Sequence, residues 1–372
     1  MSTKSMAKWD QMKHNMTPSK ALAQRDGFHK LIAGWPAFLV GFLIRGFVIR
    51  FMTWLTGIAP SAPAPDGNNH LTPMQVQTMT LAAIACGLLL LPTHPLLAAP
   101  LLLYGMRSFS SVAGHHQTHT RPVNRLGRIL YDAVSAIVTL PSFAAYAADH
   151  QKHHAYAAGP RDPDQQFIAG LGARFENLHM LFDPVFHYRF AKARLIAAMS
   201  NPWRTVLTLS AITAIAFLAP IAGPLTIGLL YQIATTLQWA TEHRWGHRPE
   251  GPASPADIAT TVTFGRLLIP SYPPKDPRFW LQLLVYTVAR ALFLSGDLAN
   301  HDLHHIGYRG SWTESASIRT RLILEGKYPQ LKQTTSLWGM FAVAFESAAA
   351  TLDRGRGPLP LREMPPEMML GM

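Results

Sequence analysis

The sequence predicts an all-α integral membrane protein with two transmembrane helical hairpins, about four spans in all, and a cytosolic helical cap that carries a histidine-rich di-metal site. Three observations support this fold. Apolar residues make up 48% of the chain although the mean hydropathy is only +0.09, so they are concentrated in a few stretches. Two of these stretches, 73–113 and 205–240, are nearly free of charged residues. Short histidine clusters follow the ends of such stretches.

The first 70 residues are predicted to be a cytosolic leader followed by an amphipathic helix at the membrane interface. Lysines and arginines recur through residues 1–30, which favours the cytoplasmic side. Residues 31–58 are apolar but contain Arg45 and Arg50, which would be costly at the bilayer centre. A helix lying in the interface with its arginines directed to the headgroups accounts for this pattern. A tilted span is the alternative.

Residues 71–310 are predicted to form the main membrane domain, which begins with a helical hairpin. Its first arm, Pro73–Leu91, has no charge and is close to the roughly twenty residues needed to cross hydrocarbon. A proline-rich turn at 92–95 leads into the second arm, Leu96–Ala113. The arginines that follow mark this end as cytoplasmic; they are Arg121, Arg125 and Arg128. A buried hairpin of a soluble protein is the alternative.

The second half of this domain repeats the arrangement. An apolar helix over Gly127–Ala148 is predicted to break near Pro141. Thr205–Ala219 and Leu225–Ala240 form the two uncharged arms of the second hairpin. Phe279–Gly296 is a further apolar helix. Residues 311–372 form a cytosolic C-terminal segment whose proline-rich end is expected to be loosely ordered.

Charge and cysteine content limit the possible partners and metal sites. A net charge of +12 requires an acidic partner. No basic run with interleaved aromatic residues indicates a nucleic-acid surface, so lipid headgroups and an acidic redox protein are favoured over nucleic acid. The single cysteine, Cys86, excludes a disulfide within the chain and a thiolate-based metal site.

The histidines provide the strongest functional signal. Four clusters contain His115, His116 and His119; His150, His153 and His154; His243 and His247; and His301, His304 and His305. On a helix, residues three or four apart share a face, so each cluster can present imidazoles in one direction. One metal ion accepts at most about six ligands. Setting aside one of the adjacent pair His115 and His116 leaves too many candidates for one ion and enough for two.

The types of residue around the histidines narrow the chemistry. A zinc peptidase with a His-Glu-x-x-His motif needs a glutamate between its two histidines, but the residues between His115 and His119 are His116, Gln117 and Thr118. Carboxylate-rich di-iron bundles are also disfavoured, since few acids lie near the clusters. The carboxylates of the turn-rich loop 159–164, Asp162 and Asp164, could hydrogen-bond a metal-binding histidine or could equally be turn caps. Asp149, Glu242 and Asp302 flank the clusters and are further acids that could bond a ligand histidine. A redox metal pair at a membrane face, receiving an apolar chain, fits the pattern.

The clusters resemble the three histidine boxes of the integral-membrane fatty acid desaturase and hydroxylase superfamily. The matching motifs are His-x-x-x-His at 115–119 and His-x-x-His-His at 150–154 and 301–305, in this order and separated by apolar hairpins. The run from His153 to Asp164 is similar to the stretch after the second box in many desaturases and carotenoid ketolases. The resemblance covers roughly residues 75–310.

This resemblance implies a di-iron enzyme that oxidises a lipid acyl chain with dioxygen. Residues 71–310 would be its catalytic domain, in the inner or cytoplasmic membrane with the active site facing the cytoplasm. Its electron donor would be a separate ferredoxin, rubredoxin or cytochrome. The implied ligands are His115, His119, His150, His153, His154, His247, His301, His304 and His305, with His243 as a further candidate and His116 as a possible extra ligand. No catalytic group beyond the ligands is expected.

The resemblance leaves the reaction open. A histidine at position 243 stands where some desaturases have another residue, and 306–310 lack the proline common in acyl desaturases. Fatty acyl desaturation is the preferred prediction. The alternatives are hydroxylation or ketolation of a lipid, alkyl chain or carotenoid at the same di-iron site, and a membrane zinc hydrolase or zinc-binding protein.

Overall fold

The computed structural model describes residues 16–33, 42–62, 70–115, 118, 125–159, 161–171, 178–245, 262–296, 298–305, 314–326 and 333–343. These residues are mostly helical. The α-helices are α1 (Pro18–Ala33), α2 (Phe42–Thr56), α3 (Pro73–Leu90), α4 (Pro95–Ser108), α5 (Arg125–Ile137), α6 (Phe143–Tyr156), α7 (Pro163–Gly170), α8 (Pro184–Ala198), α9 (Pro202–Leu218), α10 (Tyr231–Glu242), α11 (Pro277–Leu292), α12 (His301–His305) and α13 (Ser315–Leu324).

Shorter elements complete the described fold. α4 continues as a π-helical turn over Phe109–Gly114, and a second π-helical turn, Pro224–Leu230, leads into α10. Short 3₁₀ turns cover Leu178–Phe182 and Leu298–Asn300. The strands β1 (Gly265–Arg266) and β2 (Gln333–Thr334) pair in parallel, Gly265 with Gln333. The all-α prediction is therefore confirmed apart from this small strand pair.

The helical segments of both predicted hairpins are present. Pro73–Leu91 corresponds to α3, and Leu96–Ala113 corresponds to α4 with its π-helical turn. The predicted break near Pro141 separates α5 from α6. Among the described helices, none combines the length and the apolar character that a membrane crossing requires.

The chain folds into two compact units. The first unit contains Met1–Val76, Pro249–Arg290 and Gly296–Glu346. The second unit contains Gln77–Arg248, Ala291–Ser295 and Ser347–Met372. The helices that carry the first two histidine clusters, α4 and α6, therefore belong to the second unit. The cluster at residues 301–305, the third histidine box, belongs to the first unit.

In the second unit, α3 and α4 approach each other closely because glycine lies at two contact points. A Cβ atom on Gly87 would lie 2.6 Å from the Leu102 side chain, and one on Gly105 would lie 2.6 Å from Ile84. The buried core around this hairpin includes Leu102, Met106 and Phe109. Because Phe109 begins the turn that ends at Gly114, this core holds the backbone just before His115.

Buried arginines join the other helices of the second unit. Arg204 on α9 donates to the backbone oxygens of Asp132 and Leu140 and to the hydroxyl of Ser135. It thereby fixes α9 against α5 and against the break before α6. A buried guanidinium needs such acceptors because an unpaired buried charge is strongly destabilising.

The first unit contains a helix that the sequence analysis did not predict. Residues 18–30 lie in the segment predicted to be a polar leader, but residues 18–33 form α1, with Ala21, Leu22 and Ile32 buried. Arg25 is also buried and donates to the backbone oxygen of Ile49 on α2. The packing face of this helix is not evident from its polar composition, because one of its charged residues, Arg25, is buried.

Candidate metal centre

The second histidine cluster lies on α6. Ser142 caps the start of this helix by accepting a hydrogen bond from the backbone of Ala145. The helical spacing places His150 and His154 one turn apart, with their Nε2 atoms 3.0 Å from each other. Their imidazoles therefore converge on one point.

His115 joins this pair from the end of α4. The ligand nitrogens of His115, His150 and His154 all lie within 4.8 Å of one another. Gly114 makes this approach possible, because a Cβ atom there would lie 3.1 Å from the Tyr131 hydroxyl and from the Tyr146 ring. The predicted ligand His119 and the possible ligand His116 lie outside the described residues.

His153, the middle histidine of the α6 cluster, meets a different partner. Its Nε2 atom lies 2.9 Å from Nε2 of His243, which directly follows α10. Both side chains are buried. The structure thus brings His243, 90 positions further along the chain, next to the second cluster. His247 lies outside the described residues.

The other ring nitrogen of His153 is held by a carboxylate. Its Nδ1 donates to Asp162 Oδ1 at 3.0 Å, while the nearest oxygen of Asp164 is 3.5 Å away. Asp162 is fully buried and also accepts the backbone N–H groups of Ala158 and Asp164. A carboxylate on Nδ1 fixes the ring and directs the Nε2 lone pair towards a metal.

Asp162 also changes the basicity of His153. Burial lowers the pKa of His153, but Asp162 outweighs this effect, with smaller contributions from Asp164 and Glu242, and the pKa rises to about 10. The sequence predicts that a carboxylate of this loop could bond a ligand histidine, and the structure places Asp162 in that position. Asp162 is also the N-cap of α7.

The third box forms the five-residue helix α12 in the first unit. The Nε2 atoms of His301 and His305 lie 3.0 Å apart, as in the α6 pair. His304 lies to one side, with ring centroids 5.7 and 5.8 Å from those two histidines. Asp302 is buried and pairs with Arg319 on α13.

Comparison with known proteins finds a matching family model. Residues 92–269 match the family model described as fatty acid desaturase. This part of the chain is therefore similar to the fatty acid desaturase family. The match spans the first two boxes together with His243 and His247, and the third box follows it in the chain. A search of curated proteins and a search of solved structures found no match.

The match to the desaturase family model indicates an oxidoreductase-type enzyme. The histidine geometry fits metal binding. Two imidazole nitrogens, each about 2.1 Å from a metal and at right angles, would lie about 3.0 Å apart. Three pairs have this spacing: His150 with His154, His153 with His243, and His301 with His305.

The remaining acids predicted beside the desaturase ligands have other contacts. Glu242 accepts a hydrogen bond from Gln238, one turn earlier on α10. Among the described residues, Asp149 makes no hydrogen bond to a histidine, and burial raises its pKa to about 6. Of the acids near α6, Asp162 therefore has the most direct effect on a candidate ligand.

Proposed function

We propose that the chain is a membrane-bound di-iron oxygenase that desaturates a fatty acyl chain, using dioxygen and electrons from a separate redox protein. The observation that carries the proposal is the repeated facing of histidine Nε2 atoms at 2.9–3.0 Å. This spacing suits neighbouring ligands of one metal ion. It occurs in a chain whose residues 92–269 match the desaturase family model.

The ligand assignment follows from a shared pattern in the two His-x-x-His-His boxes. In each box the first and last histidines face each other, with ring centroids 4.5 Å apart on α6 and 4.6 Å on α12. The middle histidine of each box is displaced to about the same extent, at 5.7–6.2 Å from its neighbours. We therefore assign the outer histidines of a box to one iron and its middle histidine to the other.

Within the second unit, this gives His115, His150 and His154 as one group and His153 with His243 as another. Within the first unit, it gives His301 with His305 as one group and separates His304 from them. His116, His119 and His247 are further candidate ligands. Histidine nitrogen is a good donor for iron, and the absence of cysteine near the clusters agrees with a nitrogen-only site.

The protein residues position the metal and exclude competing reactions. Bound iron, together with dioxygen, would supply an oxidant strong enough to remove hydrogen from an unactivated C–H bond. No side chain supplies such an oxidant alone. Asp162 keeps His153 in the tautomer that offers Nε2. Burial of His115, His150 and His153 limits access of bulk water to the reacting centre.

Exposed apolar side chains at the ends of the predicted hairpins support a membrane location. Leu96 at the start of α4 is 89% exposed, and Phe217 and Ile221 around the end of α9 are 85% and 80% exposed. Large exposed apolar side chains grouped in this way are typical of surfaces that contact lipid or a partner. Arg125 and Arg128, near the opposite end, favour an active site on the cytoplasmic face.

The charge of the chain supports a separate, acidic electron donor. A net charge of +12 attracts an acidic protein and speeds its association at low ionic strength. A ferredoxin, a rubredoxin or a cytochrome would have the required chemistry.

Hydroxylation or ketolation at the same di-iron site is the second candidate reaction. The observation that favours it is the buried imidazole of His243, which lies against His153 as a candidate ligand where some desaturases have another residue. A richer set of histidine donors resembles the hydroxylases of the superfamily.

Metal analysis and lipid analysis together test the proposal. The purified chain should contain about two irons, since the candidate histidines are too many for one ion. Expressed in a host with defined lipids, it should remove two hydrogen atoms from an acyl chain, and a gain of one oxygen atom would establish hydroxylation instead. Zinc in place of iron, with no oxidised lipid, would overturn both reactions and support the zinc-protein alternative.

A further inference from the structure

We propose that Arg319 is a positioning residue for the third histidine box, holding α12 so that His301 and His305 face one metal ion. This inference rests on the proposed function, because it concerns the same iron centre. It adds a role for a residue on α13, fourteen positions after the last histidine of the box, that no sequence motif indicates.

The short helix α12 depends on its surroundings for its orientation. It has only five residues, whereas isolated helices shorter than about 12–15 residues are marginal in water. The direction of its histidines must therefore be set by tertiary contacts. Two residues at the start of this helix, Asn300 and Asp302, are fully or almost fully buried and can receive such contacts.

Arg319 contacts both of these residues through two different nitrogen atoms of its guanidinium. Its Nε donates to Asn300 Oδ1 and its Nη2 donates to Asp302 Oδ1. These acceptors lie on either side of His301. Because a guanidinium is planar, bonding both acceptors fixes the rotation of the helix as well as its position.

The backbone next to Arg319 leaves space for its guanidinium. Gly265 on β1 packs directly against the guanidinium, since a Cβ atom there would lie 2.6 Å from Arg319 Nη1. Asn300 is held from its other side, with Nδ2 donating to the backbone oxygen of Gly57. Arg319, Asn300 and Gly57 thus form a continuous hydrogen-bonded link from α13 to the end of α2.

Substitution of Arg319 by lysine tests whether the planar guanidinium group is required. Arg319→Lys retains the positive charge but loses the two-armed contact, so iron held by His301 and His305 should bind about 10–100-fold more weakly. The variant should retain about one iron per chain, because Arg319 does not contact the group of His115, His150 and His154. Its Mössbauer spectrum should lose one of two iron signals. Arg321→Lys, an exposed change on the same helix, is the matched control and should bind iron as the parent protein does.

Two further variants separate positioning from simple stabilisation. Asp302→Asn keeps an oxygen for Nη2 but removes the charge, so it should retain more iron than Arg319→Lys if geometry decides. Loss of both irons from Arg319→Lys, in parallel with a lower melting temperature of the metal-free protein, would show a purely structural role. If Arg319→Lys does not fold, Asn300→Ala replaces it, and normal binding of both irons by that variant would overturn the proposal.

Iron binding by the parent protein distinguishes failure of the proposed function from failure of the proposed role of Arg319. A parent chain that binds no iron refutes the proposed function itself. A parent chain with two irons, together with an Arg319→Lys variant of equal iron content and affinity, refutes only the role of Arg319.

Discussion

At the residue scale, His153 differs from the other histidines of α6. His150 and His154 face each other, whereas His153 lies between His243 on one side and Asp162 on the other. This environment is built by tertiary contacts, since the three histidines are almost adjacent in sequence. Neighbouring histidines of one motif can thus have different partners and be candidate ligands of different metal ions.

Removing a proposed ligand should have a larger effect than removing an exposed histidine. His153→Ala and His304→Ala should each lower the iron content and abolish lipid oxidation, because each deletes one proposed nitrogen ligand. His94→Ala, at the exposed turn between α3 and α4, is the control and should change neither property. Full iron content in both ligand variants would contradict the assignment. Replacing His179, which stands outside the clusters, should also have no effect.

The carboxylate behind His153 should affect the affinity for metal. Asp162→Asn keeps the size of the side chain but weakens the hydrogen bond that orients the ring. The affinity for iron should fall by about 10–100-fold. Competition with a chelator measures this change. Asp164→Asn, further from Nδ1, should have a smaller effect, and equal effects of the two substitutions would argue against a specific role for Asp162.

At the element scale, close packing of α3 and α4 depends on glycine. Sequence analysis predicted both helices from their apolar content and the proline turn between them. It did not predict that Gly87 and Gly105 are contact points, because the partner of a glycine across a hairpin depends on the rotation of each helix.

Adding a methyl group at this contact should destabilise the hairpin. In Gly105→Ala the new atom would meet both the side chain and the backbone of Ile84, and overpacking of this kind costs about 1–3 kcal/mol. Gly228→Ala is the control, since its Cβ atom would meet nothing within 4 Å. Thermal unfolding should show a lower melting temperature for Gly105→Ala alone.

The helix start at α6 and the break before it could be predicted from sequence, because Pro141 and Ser142 are local signals. Helix α1 could not be predicted in this way. Its burial depends on Arg25 contacting α2, and a sequence pattern reads a buried arginine as an exposed one.

At the scale of the whole molecule, the exposed apolar residues around the two hairpins should control membrane association. Replacing Phe217 and Ile221 together by glutamate should shift the protein from the membrane fraction towards the soluble fraction, because charged side chains are costly in hydrocarbon. Leu324→Glu, an equally simple change on α13, is the control. Sedimentation with vesicles measures the effect. Unchanged binding of the double variant would place the membrane contact elsewhere.

The sequence by itself determined which histidines are candidate ligands, which stretches are helical and which family the chain resembles, because all of these depend on spacing along the chain. Only the tertiary structure decided which histidines face each other. It also selected Asp162 beside His153 and brought Arg319 to α12. These choices depend on contacts between distant residues, such as the 90 positions that separate His153 from His243, and local spacing carries no record of them.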